Sequence, residues 1–152
     1  MIISVLDDID RKIVGIIAKD SSKSHSALGE TVGLSPSAIN ERIRKLQRLG
    51  VIKGFQARIN PKSLGQNLLA FILVDVEAIH EREFAKLILQ NESILECHHV
   101  TGDYSFLLKI RVGGTDDLEK IISKVFKSQP WVKRTHTQIA LSSIKEEFFA
   151  GV

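Results

Sequence analysis

The 152-residue sequence predicts an α+β fold built in two parts. Three helices and a short wing occupy residues 1–60, residues 61–66 form a linker, and a ferredoxin-like βαββαβ sandwich domain occupies residues 67–152. A pattern of alternating strands and helices begins at Asn67, and the charge changes sign nearby. Residues 1–65 carry 11 basic and 6 acidic side chains, whereas the remainder carries 10 basic and 12 acidic ones. A basic half joined to a mildly acidic half indicates that the first half meets a polyanion, the alternative being chance asymmetry on a solvated surface.

Composition and apolar runs exclude several classes of protein. The longest apolar run, Leu68–Val74, is far shorter than the roughly 20 residues that cross a bilayer. The apolar start ends at Asp7 and Asp8 without a basic region or cleavage site, so we predict no signal peptide. Cys97 is the only cysteine, which rules out an intramolecular disulfide. We therefore expect a cytoplasmic protein with no membrane partner.

The first helix is predicted from Asp7 to about Lys19. Its apolar residues recur three and four positions apart and form one stripe: Leu6, Ile9, Ile13, Ile16 and Ile17. Asp7 is a favourable N-cap, and Asp8 and Asp10 suit the positive end of the helix dipole. Asp10 lies away from the centre of the apolar stripe.

The following residues predict a helix-turn-helix. A second helix covers roughly Ser26 to Val32, and Gly33 ends it because glycine tolerates the left-handed conformation. Ser35 then caps a third helix, and Pro36 takes its first position, where a missing N–H costs nothing.

The third helix has one apolar side and one polar side. Ile39, Ile43 and Leu46 lie within about 60° of one another and face the core. On the other side, Arg can bind guanine bidentately, Asn can pair with adenine, and Ser and Lys can bind phosphate. Arg42 projects beside the core stripe and is predicted to be structural or directed at phosphate. The predicted DNA-binding residues are Ser35, Ser37, Asn40, Glu41, Arg44, Lys45 and Arg48, with Lys53 of the wing. A solvated charged face is the alternative for an isolated helix of this kind, and the Gly turn and Ser-Pro cap argue against it.

A wing is predicted after Gly50, which ends the third helix. Residues 51–53 and 55–58 can form two short strands around Gly54. Lys53 and Arg58 can reach phosphates from these strands. Asn60-Pro61 and Gly65 then mark a turn-rich connection out of the domain.

These segments resemble the leucine-responsive/AsnC-type (feast/famine) regulators of bacteria and archaea. The resemblance is carried by residues 6–13 (LDDIDRKI), 32–39 (VGLSPSAI), 42–46 (RIRKL) and 49–54 (LGVIKG), and it continues through the second half. It implies a sequence-specific transcriptional regulator that binds double-stranded DNA with a winged helix-turn-helix. It also implies a homodimer built through the C-terminal domain, often an octamer of four dimers, and regulation of amino-acid-related genes, often with an amino acid as effector.

The second half alternates strands and helices independently of that resemblance. Strands are predicted at 68–76, 94–101, 105–112 and 132 to about 144, and helices at 81–91 and from a Thr115 cap to Gln129-Pro130. The order β-α-β-β-α-β is ferredoxin-like. Helices on one side leave the other face of the sheet uncovered, so we expect a second copy of the chain to cover it.

A candidate effector site lies in the turn between the second and third strands. Gly102, Asp103, Tyr104 and Ser105 place backbone N–H groups and side chains where they can converge on a small polar ligand. The turn resembles the family's effector segment, and Thr135 and Thr137 resemble polar positions facing the same cleft. Ser105 stands where many relatives carry an acidic residue suited to an ammonium, and a neutral hydroxyl is a weaker partner. An ordinary tight hairpin is the alternative.

Other chemistry is thinly represented. Cys97, His98 and His99 suggest a metal site, but adjacent strand residues point to opposite faces, so the two histidines cannot readily share one ion. We predict no metal, no cofactor and no catalytic residue, because no Ser/His/Asp set, carboxylate pair or phosphate-binding glycine loop can be assembled.

Two alternatives to a metabolite-responsive regulator stay open. The first is an architectural protein that wraps or bridges DNA without an effector. The second is an enzyme, because sirohaem decarboxylases resemble this two-domain layout. Such an enzyme would recruit His98, His99, Arg111 and His136 for tetrapyrrole chemistry. The intact basic helix argues against it, since an enzyme would not need that helix.

Overall fold

The computed structural model describes residues 6–147, which divide into two units after Arg58. The first unit holds the described residues up to Arg58 together with those from Lys145 onward, and the second is Ile59–Ile144. The predicted linker, residues 61–66, therefore lies within the second unit, where Pro61–Leu64 form a 3-10 turn. In residues 6–147 no helix combines the length and apolar character needed to span a membrane.

The first unit contains the three predicted helices, α1 (Asp8–Lys19), α2 (His25–Val32) and α3 (Pro36–Arg48). The Asp7 carboxylate caps α1 by accepting a bond of 2.7 Å from the backbone N–H of Asp10. Ser35 caps α3, with Pro36 in its first turn, and Gly33 ends α2 with a φ of 75°. The predicted helix-turn-helix is confirmed, including both capping residues.

Aliphatic side chains from all three helices form the core of this unit. Five of them are at most 6% exposed: Ile13, Leu28, Ile39, Ile43 and Leu46. Burying a side chain of this size contributes roughly 1.5–3 kcal/mol. Because three of the five belong to α3, that helix is fixed along one side and its opposite side is left in solvent.

The two short strands predicted for the wing are not formed in the described chain, where residues 51–60 contain no strand. The backbone N–H groups of Val51 and Ile52 both donate to the carbonyl of Leu46, at 2.9 and 3.2 Å. These bonds hold the backbone of residues 51–52 against the end of α3, and their N–H groups are therefore not available for a strand pairing.

The second unit confirms the βαββαβ order. Its elements are β1 (Leu68–Val76), α4 (Glu81–Leu89), β2 (Ile94–His99), β3 (Phe106–Val112), α5 (Thr115–Ile121) and β4 (Val132–Ile139). The sheet order is β2-β3-β1-β4, with all neighbours antiparallel. This is the ferredoxin-like sheet.

Four predicted boundaries in this unit are corrected. Thr115 is the first helical residue of α5 rather than its cap, because Gly114 takes the N-cap position. A π-helical turn, Ile122–Phe126, continues α5 and ends before Gln129-Pro130. β2 ends at His99 and β4 at Ile139, so both strands are shorter than predicted.

The two faces of the sheet differ in packing. One face holds Ile72, Val74, Leu108 and Ile110, each fully buried in the cluster that includes Phe84 of α4 and residues of α5. On the other face, the strand register aligns His98, Leu107, Leu73 and His136 in one row across the four strands. We call this the helix-free face. The two leucines of its central row are only half-buried.

Candidate functional site

The outer side of α3 carries most of the predicted DNA-binding residues. Glu41, Arg44 and Arg48 are exposed and line an open depression together with Gln47. Gln47 was not predicted from the sequence, although it lies only about 60° around the helix from Arg44. The Gln47 amide can pair with adenine, and Gln47 follows Arg44 by three residues on the same side of the helix. These two features of the sequence are the signal that could have identified it.

The start of α3 presents two serine hydroxyls. Ser35 Oγ accepts the capping bond from the backbone N–H of Ala38 and lies 3.0 Å from Ser37 Oγ. Both serines are exposed, whereas Asn40 is half-buried one turn further along. Exposed hydroxyls at a helix N-terminus, where the dipole is positive, suit a phosphate or a base edge.

A network of ion pairs joins α3 to the start of α1. Arg42 Nη1 donates to Asp7 Oδ2 and Asp10 Oδ1, both at 2.7 Å, and Lys45 Nζ donates to Asp10 Oδ2 at 2.8 Å. The Asp10 side chain is fully buried, although the apolar stripe placed it off centre. We call these four residues the α1–α3 latch. Arg42 is engaged in the latch, which fits the structural one of the two roles predicted for it. The ammonium of Lys45 is held by Asp10 rather than presented in the depression.

Electrostatics stabilise the charged form of both aspartates. The hydrogen bond from Arg42 lowers the pKa of Asp7 below its ordinary value. Burial acts to raise the pKa of Asp10, but the hydrogen bonds from Lys45 and Arg42 outweigh it and the pKa is lowered. Both aspartates of the latch are therefore ionised at neutral pH.

Gly29 is a second residue that the sequence reasoning missed. It is buried in α2, and its carbonyl accepts from the N–H groups of Gly33 and Leu34 at 2.8 and 3.0 Å. A Cβ at this position would collide with the backbone carbonyl oxygen of Leu34. The turn between α2 and α3 therefore requires glycine here, at a position that looks like an ordinary helical residue in the sequence.

The predicted effector turn lies between β2 and β3. Gly102 takes the left-handed conformation with a φ of 115°. Ser105 Oγ lies 3.3 Å from Asp75 Oδ1 and accepts from the N–H of Val76 at 3.3 Å. The Ser105 hydroxyl is thus engaged by its own chain, beside a carboxylate on β1.

Arg134 of β4 joins the turn to the sheet. Its guanidinium lies over the Tyr104 ring, 4.6 Å from the centroid, and donates to the carbonyl of Asp103. Its Nε donates to Asp75 Oδ2 at 3.4 Å. Arg134 was not predicted as a site residue, because only the register of β4 against β1 shows which of its side chains meet the turn.

The placement of Thr135 and Thr137 in the same cleft is wrong for a single chain. The register pairs them with Val74 and Ile72, which are fully buried on the helix-covered face. Directly opposed residues share a face, and successive residues alternate. The two threonines therefore point away from the face on which Arg134 contacts the turn.

The histidines proposed for metal or tetrapyrrole chemistry are divided between the two faces. The His99 ring stacks on Phe106, with centroids 4.9 Å apart, whereas His98 Nε2 lies 3.3 Å from Glu96 on the helix-free face. Burial raises the pKa of Cys97. Within residues 6–147, no three His, Cys, Asp or Glu side chains are grouped so as to hold a metal ion.

Comparisons with known proteins agree with both units. Residues 6–53 match the family described as winged helix-turn-helix DNA-binding, and residues 69–148 match the Lrp/AsnC ligand binding domain. The chain is 41% identical over 141 residues to the HTH-type transcriptional regulator FL11 of Pyrococcus abyssi, covering 93% of each. It is 35% identical over 145 residues to the leucine-responsive regulatory protein of Escherichia coli K12, covering 93% of this chain and 88% of the relative.

A solved structure extends the comparison. A transcriptional regulator of Neisseria meningitidis, crystallised as a complex with L-Met, superposes with a TM-score of 0.89 at 25% identity, covering 94% of each chain. The Pyrococcus and Neisseria proteins are named as transcriptional regulators, and the Escherichia coli protein is named as a regulatory protein. Sequence, fold and the exposed helix of a helix-turn-helix therefore agree: the chain belongs to the Lrp/AsnC family of DNA-binding transcriptional regulators.

Proposed function

We propose that α3 binds in the major groove of duplex DNA and reads base edges with Arg44, Asn40 and Glu41. The observation that supports this role is the division of α3 into a core side, a latch side and an exposed polar side. Arg44 lies near the middle of the exposed side, where it can bind guanine bidentately. Ser37 and Arg48 extend the same side and suit contacts to phosphates.

Substitution of Arg44 tests this proposal. Arg44→Ala should weaken binding by about 1–3 kcal/mol and relax the preference at one base position. Lys53→Ala is the matched comparison: this exposed cation should weaken binding to all sequences alike. Titration of each variant on a set of single-base operator variants measures both effects. An unchanged site preference for Arg44→Ala would remove Arg44 from the base readers.

We further propose that two copies of the chain pair through the helix-free face. Phe71, Leu73 and Leu107 lie side by side there and are only half-buried within the chain. A partially exposed apolar surface of this kind is typical of a protein interface. Two linked DNA-binding units also gain affinity for paired half-sites through effective concentration.

Sedimentation tests the dimer and its assembly into an octamer. Leu73→Glu places a charge in the proposed interface and should shift the protein toward monomer. Leu89→Glu is the matched control, because Leu89 of α4 is 87% exposed and the same change there should leave the mass unchanged. Equal masses for both variants would place the dimer contact elsewhere, and a parent mass of eight chains would support the octamer.

We also propose that an amino acid modulates DNA binding at the turn of residues 102–105. Two findings support it: the second unit matches a ligand-binding domain, and a relative was crystallised with L-Met. In this chain the turn offers the Asp75 carboxylate beside Ser105, with the Arg134 guanidinium on its other oxygen. A carboxylate and a guanidinium can bind the ammonium and carboxylate of an amino acid.

One observation favours the architectural alternative. The Ser105 hydroxyl, the Asp75 carboxylate and the Arg134 guanidinium already bond to one another or to backbone groups of the same chain. A ligand must compete with these contacts. An effector-independent protein that bridges or wraps DNA would keep them permanently.

A titration on DNA from the protein's own upstream region, with and without a panel of amino acids that includes methionine, separates the two functions. Modulated binding that is lost in Ser105→Ala but kept in the exposed control Ser128→Ala supports the effector site. Tight binding indifferent to every amino acid supports the architectural role. A preparation that lacks specific DNA binding and binds a tetrapyrrole instead would revive the enzymatic alternative.

A further inference from the structure

Arg58 holds the last described residues of the chain against the first unit. Its Nη1 and Nη2 donate to the two carboxylate oxygens of Glu147, at 3.1 and 3.2 Å, and Nη2 also donates to the backbone carbonyl of Glu146 at 2.9 Å. Arg58 and residues 145–147 belong to the same compact unit, although Arg58 and Glu147 are 89 positions apart in the sequence. We call this contact the tail clamp.

The tail clamp has the geometry with which a guanidinium binds a phosphate. Two parallel N–H groups donate to two oxygens of one anion, and this fork matches carboxylate and phosphate alike. The Arg58 and Glu147 side chains are 65% and 48% exposed. A phosphate oxygen can therefore approach the guanidinium from solvent and replace the carboxylate, because neither group has to leave a buried site.

The cation of the tail clamp lies on the unit that carries the helix-turn-helix. After α3 ends at Arg48, the chain reaches Arg58 through an exposed stretch that includes Lys53. Contacts from such cations to phosphates make up a large share of protein–DNA hydrogen bonds. The sequence predicts a phosphate as the partner of Arg58, whereas the structure gives it the Glu147 carboxylate.

We propose that Glu147 competes with a DNA phosphate for Arg58, so that the tail clamp weakens DNA binding until a phosphate displaces it. The inference rests on the proposed binding of the first unit to duplex DNA. A carboxylate and a phosphate cannot both occupy the same two N–H groups, so DNA engages Arg58 only when the clamp is open. The apparent affinity is then reduced in proportion to the fraction of molecules with an open clamp. Because contacts to phosphate do not read the base sequence, the reduction applies to every duplex alike.

The exposure of the tail clamp favours competition over a permanent structural role. In the α1–α3 latch the Asp10 side chain is fully buried, whereas the Glu147 side chain of the clamp is about half exposed. An exposed ion pair is weak and is screened by salt, so it opens readily beside a duplex, which carries one negative charge per roughly 1.7 Å of its axis. A pair of this strength changes affinity by about two- to fivefold per chain.

Titration of the full chain on two duplexes, one from the protein's own upstream region and one of unrelated sequence, tests the tail clamp. Glu147→Gln keeps the size of the side chain, removes its charge and should tighten binding to both duplexes by about two- to fivefold per chain. The gain should shrink as the salt concentration rises, because salt weakens the clamp of the parent protein. Arg58→Gln should weaken binding to both duplexes, and adding Glu147→Gln to it should give no gain.

Asp8→Asn is the matched control, because it removes one carboxylate charge from an exposed position of the same unit and should give no comparable gain. A parent protein that does not bind DNA would refute the proposed function and the inference together. A parent that binds DNA while Glu147→Gln binds no more tightly refutes the inference alone. A gain that persists beside Arg58→Gln, or that Asp8→Asn matches, would show a general effect of net charge and would overturn the inference. Weaker binding by Glu147→Gln would show that the carboxylate positions Arg58 for DNA, which overturns it as well.

Discussion

Replacement of Asp10 by asparagine is expected to destabilise the first unit specifically. The substitution keeps the shape of the side chain but removes its charge. Asp10 uses both carboxylate oxygens, one for Arg42 and one for Lys45. An amide has one acceptor oxygen, and its NH₂ group would face one of the two cations. The latch would lose one hydrogen bond and all of its buried negative charge.

The surroundings of Asp10 set the size of the effect. Removing one partner of a buried ion pair costs about 3–5 kcal/mol, because the other charge is left uncompensated. Here the Arg42 and Lys45 side chains are 26% and 37% exposed, so water can solvate them, and Asp7 still contacts Arg42. The expected loss in the free energy of unfolding is therefore at the low end, about 3 kcal/mol. That is a large fraction of the stability of a small domain.

Urea unfolding followed by two signals localises the loss. Circular dichroism at 222 nm reports on helices, including all of α1–α3, whereas fluorescence reports on the second unit, because Trp131 is the only tryptophan. In the dichroism signal, Asp10→Asn should lower the urea midpoint for unfolding of the first unit by at least about 1 M. The fluorescence midpoint should not change. Asp8→Asn is the matched control, since it removes the same charge from the same turn at an exposed position.

Two results would refute the reasoning about the latch. One is an Asp10→Asn midpoint equal to that of Asp8→Asn, because the buried charge would then contribute nothing beyond the helix dipole. The other is the absence of coupling in a double-mutant cycle with Lys45→Gln, because residues that share an ion pair show non-additive effects. An equal shift of the fluorescence midpoint would show that the effect is not confined to the first unit.

Three further predictions concern the same unit. The pKa values of both latch aspartates are lowered, so their contribution to the free energy of unfolding is fully present above about pH 4 and is lost as the pH falls through the lowered values. On acidification, the urea midpoint of Asp10→Asn should therefore fall less than the midpoint of the parent protein. Gly29→Ala should cost about 1–3 kcal/mol in thermal or urea unfolding because its Cβ meets the Leu34 carbonyl, whereas Gly54→Ala, which meets nothing, should be close to neutral. Lys45→Gln should leave the slope of log affinity against log salt unchanged, whereas Lys53→Gln should reduce it by about one; equal slopes would place Lys45 on phosphate.

Local signals predicted the elements of both units well. Asp7, Ser35 and Pro36 act within one helical turn of their own positions, so their capping roles are readable without the fold. The alternation of Leu108 and Ile110 with Lys109 and Arg111 in β3 is equally local, and both apolar residues are buried in the core. These features depend on backbone geometry and on the period of the apolar residues.

The missed features depend on contacts between distant segments. Asp10 is buried against Arg42 and Lys45, which lie 32 and 35 residues further along the chain. The spacing of apolar residues within α1 does not reveal a contact with another helix. Gly29 looks like a weak helix former until the Leu34 carbonyl is placed against it. The residues of the predicted wing have a strand pattern, but a pattern does not state which strand is the partner.

The division of α3 into three sides gives a way to separate structural from DNA-contacting residues. A change on the core side, such as at Ile43, removes buried apolar surface and lowers stability and affinity together. We expect a change in the latch, at Lys45, to lower stability and to leave the contacts of Arg44 to DNA in place. We expect a change on the exposed side, at Arg44, to lower affinity at constant stability, because surface substitutions usually change the free energy of unfolding by less than about 0.5 kcal/mol. Each residue of α3 can therefore be assigned from two measurements, an unfolding midpoint and a binding constant. Arg42 and Lys45 lie between the other two sides of the helix, so charge alone does not decide whether they contact Asp10, phosphate or both.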